Sequence, residues 1–263
     1  MLDRTVSEYM TSPVVSVGPD ETLPAIAKLL DERRISAVVV IDERAIPLGI
    51  VSRSDLLRIG RSHTGASRGA RALELPAWRV GEVMTQGTLS IAPNAPLAEA
   101  ARTMREERCH RLVVIEAGRL AGVFSTLDLA AAVRDAHVTR PLAEIMSTPV
   151  ITVEATRPVS VAIEKLDEAH LTGVIVVEDE WPIGVFTQSE AIAVRDLPSD
   201  TPVGDLLDPA IICLPAQTRC HRAAAHIARL DVRRVIACRG GEMVGIVTGF
   251  DIAKLFPQAG ARY

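Results

Sequence analysis

Lysine is nearly missing from this 263-residue chain. Only Lys28, Lys165 and Lys254 stand among its 29 basic residues, and the rest are arginine. A basic side chain that meets a ligand is therefore expected to be a guanidinium, which suits two-point binding of phosphate. The chain has no apolar run near the roughly 18–20 residues that cross a bilayer. Its first residues, Met-Leu-Asp-Arg-Thr-Val-Ser-Glu, lack the apolar stretch of a signal peptide. A cytoplasmic protein without membrane contact is the expectation. An excess of positive charge is lacking too. At a net charge of −4, nucleic acid is not an expected partner. Cysteine is sparse (Cys109, Cys213, Cys220 and Cys238) and no Cys-x-x-Cys occurs, so no metal site is expected. His221 and His226 are spaced poorly for one metal and read as surface residues. No nucleophile, base and oxyanion donor can be picked out by spacing, so the chain does not read as an enzyme.

What is present is a repeat. With 48% hydrophobic and 24% charged residues, the chain can build a sizeable core. A heptad recurs about every sixty residues: Gly49-Ile-Val-Ser-Arg-Ser-Asp55, Gly122-Val-Phe-Ser-Thr-Leu-Asp128, Gly184-Val-Phe-Thr-Gln-Ser-Glu190 and Gly245-Ile-Val-Thr-Gly-Phe-Asp251. Upstream of each copy lies a second block, ending at Met10, Met84, Met146 and Leu207. At a constant distance from these markers apolar residues recur at i, i+3, i+4 and i+7. They are Leu23, Ile26, Ala27 and Leu30; then Leu97, Ala100, Ala101 and Met104; then Val159, Ala162, Ile163 and Leu166; then Cys220, Ala223, Ala224 and Ile227. That spacing predicts one face of an amphipathic helix, four times over. A β-branched run, a short turn and the glycine-led strand follow, which predicts a hairpin. The motif acid then opens a second helix, where it complements the helix dipole. With a short strand near Val14–Val17, each unit is β-α-β-β-α, an α/β (α+β) fold.

The expected organisation is repeat 1 over 1–60, a basic insertion over 61–78, repeat 2 over 79–136, repeat 3 over 137–197 and repeat 4 over 198–263. One unit is small for independent stability, so repeats should pair, 1 with 2 and 3 with 4. The insertion carries Arg61, His63, Gly65, Arg68, Gly69 and Arg71 and no apolar periodicity. It reads as a solvated loop or as a mobile basic segment that closes over an anion.

These columns resemble the CBS domain, the regulatory module named after cystathionine β-synthase. The resemblance covers nearly the whole chain apart from the insertion and the last few residues. It implies four CBS motifs, paired as two Bateman modules that form a pseudo-twofold disc. It also implies clefts that bind adenosyl ligands: AMP, ADP or ATP, with S-adenosylmethionine, NAD or cyclic di-AMP as alternatives. No cofactor is required beyond such a regulatory ligand. Outside the repeats there is no catalytic half, transporter or DNA-binding segment, so the chain reads as a stand-alone sensor that signals to a protein partner. Whether two chains associate stays open.

The resemblance assigns Asp55, Asp128, Glu190 and Asp251 to ribose hydroxyls, and Ser52, Ser125, Thr187 and Thr248 to phosphate. A carboxylate can accept two hydrogen bonds from a vicinal diol, and a helix N-terminus favours an anion. The same residues would serve equally as helix caps. Copy three departs from the pattern with Glu190, and the intervening Arg53, Thr126, Gln188 and Gly249 differ, so the four sites should not be equivalent. A second column holds Ser36-Ala37, His110-Arg111, Thr172-Gly173 and Arg233-Arg234. Odd copies carry small residues, fit for adenine, and even copies carry basic ones, fit for phosphate. Cys109-His110-Arg111-Leu112-Val113 is similar to the phosphate-binding stretch of the γ subunit of AMP-activated protein kinase. Each pair would then join an adenine-accepting odd copy to a phosphate-facing even copy. The competing expectation is an interaction scaffold with vestigial clefts. Cys109, Cys220 and Cys238 fall in core columns, whereas Cys213 aligns with Ser16, Ser90 and Thr152.

Overall fold

The computed structural model describes residues 4–63, 71–209, 211–230 and 232–256. Each expected unit forms. Repeat 1 comprises β1 (Ser16–Val17), α1 (Leu23–Glu32), β2 (Ala37–Ile41), β3 (Pro47–Ser52) and α2 (Arg53–His63). A short α3 (Val80–Val83) and β4 (Thr85–Gln86) lead to repeat 2: β5 (Ser90–Ile91), α4 (Leu97–Glu106), β6 (Arg111–Glu116), β7 (Arg119–Ser125) and α5 (Thr126–Asp135). Repeat 3 has β8 (Thr152–Glu154), α6 (Val159–Glu168), β9 (Gly173–Glu178), β10 (Trp181–Thr187) and α7 (Gln188–Ala193). Repeat 4 has β11 (Cys213–Pro215), α8 (Cys220–Leu230), β12 (Arg234–Arg239), β13 (Glu242–Thr248) and α9 (Gly249–Ala253). In every repeat the first strand runs parallel to the second, and the second and third form an antiparallel hairpin.

All sixteen positions of the four amphipathic faces are buried. After the first helix of repeats 1–3 comes a residue with positive φ: Arg34 (51°), Arg108 (49°) and His170 (50°). The next amide then bonds back to the helix, as Ile35 does to Leu30, Cys109 to Met104 and Leu171 to Leu166. This recurring left-handed stop aims each chain at its strand.

The chain divides into two compact units. Unit 1 comprises 1–14, 88–150 and 212–263; unit 2 comprises 15–87 and 151–211. Within unit 2, α2 of repeat 1 packs on α6 and α7 of repeat 3; within unit 1, α5 of repeat 2 packs on α8 and α9 of repeat 4. The helical cores therefore join repeat 1 with 3 and repeat 2 with 4, partners that the repeat pattern does not reveal. Repeats 1 and 2 are linked in another way, by exchanging their upstream blocks. Met10 lies against Gly122 of repeat 2, and Met84 lies against Gly49 of repeat 1. Repeats 3 and 4 exchange likewise, through Met146 on Gly245 and Leu207 on Gly184.

The insertion is not a solvated loop at its described ends. Helix α2 runs on to His63, and Arg61 pairs with Asp167 of α6. Ala72 and Leu73 bond through their amides to Leu197 and Arg195, Leu73 is fully buried, and Arg71 pairs with Asp196. Apolar side chains at 72–73 without helical period seal the core, which periodicity alone could not show. Gly65, Arg68 and Gly69 lie outside the described residues. No helix among the described residues is long and apolar enough to cross a membrane.

Candidate functional site

The two columns singled out in the sequence meet in space. Across each hairpin the second residue of the variable pair stands directly opposite the motif hydroxyl: Ala37 opposite Ser52, Arg111 opposite Ser125, Gly173 opposite Thr187 and Arg234 opposite Thr248. The first residue of the pair is tied in as well. Ser36 accepts from the Arg53 amide at 3.0 Å, His110 from Thr126 at 3.1 Å and Thr172 from Gln188 at 3.5 Å, each through its carbonyl. Each site thus sits at one open end of a hairpin, where the next helix begins.

There the motif acid closes a helix cap. The Ser52 amide and hydroxyl donate to Asp55 Oδ2 at 2.9 and 2.7 Å. Ser125 donates likewise to Asp128 Oδ2 at 2.6 and 2.7 Å, and Thr248 to Asp251 Oδ2 at 2.7 and 2.8 Å. The Thr187 amide donates to Glu190 Oε2 at 2.8 Å, and its hydroxyl donates to the same oxygen, so the longer side chain of Glu190 still caps. The cap takes one carboxylate oxygen and leaves the other outside it. The sites part company at that second oxygen. Among the described residues Asp55 Oδ1 meets the exposed Arg58, at 3.3 Å. Asp128 is half-buried, and burial raises its pKa while the Ser125 hydrogen bonds oppose that rise. Asp251 is 1% exposed, and its Oδ1 accepts from Ser147 Oγ at 2.7 Å and Lys254 Nζ at 2.6 Å. Both oxygens of Asp251 are taken, so the expected ribose role does not fit it. Ser147 comes from the exchanged block of repeat 3, and Lys254 also holds the Ile145 carbonyl at 3.0 Å. Sequence reasoning missed both. The column of Thr11, Thr85 and Ser147 behind the markers was the available signal for Ser147.

The intervening residues of the heptad are packing contacts, some within a repeat and some between helix-packed repeats. In unit 2 the buried Arg53 reaches the Ile35 carbonyl and Asp31, while Gln188 reaches the Leu171 carbonyl and accepts from Ser54 Oγ at 3.0 Å. In unit 1 a Cβ on Gly249 would lie 2.3 Å from Thr126 Cβ, so the N-termini of α5 and α9 nearly touch. These differences answer to packing.

The variable pairs sort by unit. Ser36-Ala37 and Thr172-Gly173 both belong to unit 2. His110-Arg111 and Arg233-Arg234 both belong to unit 1, where they converge. The His110 ring packs on Phe250 at 4.2 Å between centroids. Burial first, and then the positive charges of Arg111, Arg233 and Arg234, push its pKa from 6.5 down to about 4. Arg111 also lies near enough to Asp128 to favour its anion. Within unit 1, then, the phosphate-type residues of two even copies face one locality, which the alternation along the chain does not convey. His226 is exposed as expected; His221 is instead half-buried, with Nδ1 2.9 Å from the Val138 carbonyl oxygen.

Comparison with known proteins agrees with this architecture. The CBS domain pattern matches residues 6–62, 80–135 and 142–196, and the chain belongs to the CBS-domain family. The fourth repeat lies outside those stretches but has the same element order, block contact and cap. An uncharacterised 33.4 kDa protein of the ribosomal RNA operon of Thermofilum pendens is 27% identical over 207 residues, which is 73% of this chain and 64% of that relative. Protein MJ1225 of Methanocaldococcus jannaschii is 26% identical over 188 residues, covering 64% of this chain and 67% of its own. The MJ1225 crystal structure, proposed as an archaeal homologue of γ-AMPK, matches over 97% of this chain and 100% of its own, with a TM-score of 0.82 and 15% identity. An uncharacterised conserved protein of Pyrococcus horikoshii gives a TM-score of 0.68 at 18% identity, again over 97% of this chain and 100% of its own. At such identities these structures define the fold.

Proposed function

We propose that this chain is a regulatory sensor that binds an adenosyl ligand, with AMP, ADP or ATP foremost, and signals by a change of conformation rather than by catalysis. The convergence of His110, Arg111, Arg233 and Arg234 beside the α5 N-terminus carries the reading. Guanidinium groups and a helix N-terminus favour the same ligand, a phosphate. Asp128 keeps one carboxylate oxygen outside its cap, and that oxygen can accept from a ribose hydroxyl. S-adenosylmethionine, NAD and cyclic di-AMP share the adenosine and remain alternatives, of which the first lacks the phosphate that the arginines suit. The expected setting is the cytoplasm, with a protein partner to read the change; any switching requires a ligand that prefers one of two states.

Thermal unfolding with each of these ligands tests the reading. A ligand at a hundred times its Kd stabilises by about 2.7 kcal/mol. Asp128→Asn should weaken AMP about ten- to a hundred-fold. Arg111→Gln and Arg234→Gln should weaken ATP more than adenosine, and equal losses would overturn the phosphate assignment. Asp251→Asn should instead cost stability, about 2–4 kcal/mol, because it breaks a buried and fully engaged carboxylate. A second reading, an interaction scaffold with vestigial clefts, is favoured by the sealed Asp251 and by the engagement of every motif acid in a cap. No thermal response to any of the ligands would overturn the first reading and favour the second.

A further inference from the structure

Repeat 4 departs from its sister repeats at two columns at once. Where the others have Ser16, Ser90 and Thr152 it has Cys213, and where they have Ile41, Ile115 and Val177 it has Cys238. The two cysteines are far apart in sequence, and the core column of Cys238 suggests a buried hydrophobe. The fold corrects that suggestion. Cys238 is only half-buried, and Cys213 is exposed. Strands β11 and β12 are hydrogen-bonded neighbours, with Cys213 opposite Ile236 and Pro215 opposite Cys238. Aligned residues on parallel strands share a face, and so do residues two apart along one strand. Cys213 and Cys238 are therefore diagonal neighbours on one face, and their thiols lie within side-chain hydrogen-bonding reach.

We propose that Cys213 and Cys238 form a two-thiolate site for a soft, thiophilic monovalent metal ion of the copper(I) class. Soft sulfur ligands select such ions. Among the described residues no group of three or more His, Cys, Asp or Glu side chains is placed to hold a metal ion. That excludes from this face the four-ligand shell that zinc takes in structural sites. It leaves an ion that two thiolates satisfy. A diagonal pair across neighbouring strands brings the two thiols to one face, where a single ion can take both. Burial, and then the neighbouring Cys238, push the Cys213 thiol up to about 11, so that thiol is protonated near neutral pH. A protonated thiol is a poor nucleophile towards peroxide. A metal ion, by contrast, displaces the protons: two S–H bonds break, two metal–sulfur bonds form, and two protons pass to solvent with no change of oxidation state.

The repeat itself supplies the test variants. Cys213→Ser and Cys238→Val install residues that the same fold carries at Ser16, Ser90 and Val177, so both variants should fold, which their thermal unfolding would verify. Copper(I) supplied anaerobically as its acetonitrile complex, in competition with a chromophoric chelator, should bind the full chain at one equivalent. A thiolate-to-metal absorption band should accompany it. Each single variant should lose at least a hundred-fold in affinity together with the band, while Cys109→Ser and Cys220→Ala keep both. Failure of the wild-type chain to hold copper(I) against the chelator would overturn the proposal. So would retention of the affinity by folded Cys213→Ser or Cys238→Val.

Discussion

His110 is held neutral by its surroundings, and that has a measurable consequence. Its folded pKa, about 4, lies below the ordinary 6.5, so folding favours the unprotonated ring. The stability this contributes is fully present above pH 6.5 and is lost as the pH falls toward 4. At 1.36 kcal/mol per unit, wild type should lose on the order of 3 kcal/mol more than His110→Gln between pH 7.5 and pH 4. Urea unfolding at the two pH values measures this, and parallel losses in the two proteins would refute it. The comparison with the variant cancels the carboxylates that titrate in the same window. An anionic ligand beside the ring would oppose this shift, which ties the residue-scale chemistry to binding.

At the scale of elements, the four glycines that lead the motif strands exist because another block lies on them. A Cβ on Gly49 would stand 2.5 Å from the Thr85 carbonyl oxygen, whereas one on Gly245 would meet chiefly the Met146 side chain, at 2.5 Å from Sδ. The obstacle is backbone in the first case and a flexible thioether in the second. Gly49→Ala should therefore cost roughly 1–3 kcal/mol and resist rescue by trimming Met84. Gly245→Ala should recover most of its loss when combined with Met146→Ala. Denaturant unfolding of the single and double variants tests the contrast through the coupling energy. The elements themselves were legible in the sequence, because buried faces leave a period and caps leave a spacing. Leu23, Ile26, Ala27 and Leu30 behave as their spacing predicts. What lies over a given glycine or carboxylate leaves no period. The reach of Ser147 and Lys254 to Asp251, the burial of Leu73 and the meeting of Cys213 with Cys238 each join residues distant in the chain, and only the fold brings them together.

On the scale of the whole molecule, exchange of the upstream blocks means that chain order and structural dependence differ. The stretch 4–14 opens repeat 1 yet serves repeat 2. Val6 and Ser7 donate to the carbonyls of Ala95 and Pro93, Leu97 donates to Arg4, and Thr11 and Val123 exchange both backbone bonds at 2.9 and 3.0 Å. Val6 is fully buried in the core that repeats 2 and 4 share. The counterpart block over repeat 1 is Trp78–Gly87, whose Val80 amide donates to Glu21. A chain shortened to begin at Val15 should therefore loosen repeat 2 and leave repeat 1 intact. The amides of Val123 and Leu97 should exchange with deuterium much faster, since their acceptors are gone. Those of Val38 to Ile41, in β2 and bonded within repeat 1, should keep their protection. Faster exchange in β2, with Val123 still protected, would mean that the leading block stabilises its own repeat and that the exchange seen in the fold carries no energetic weight.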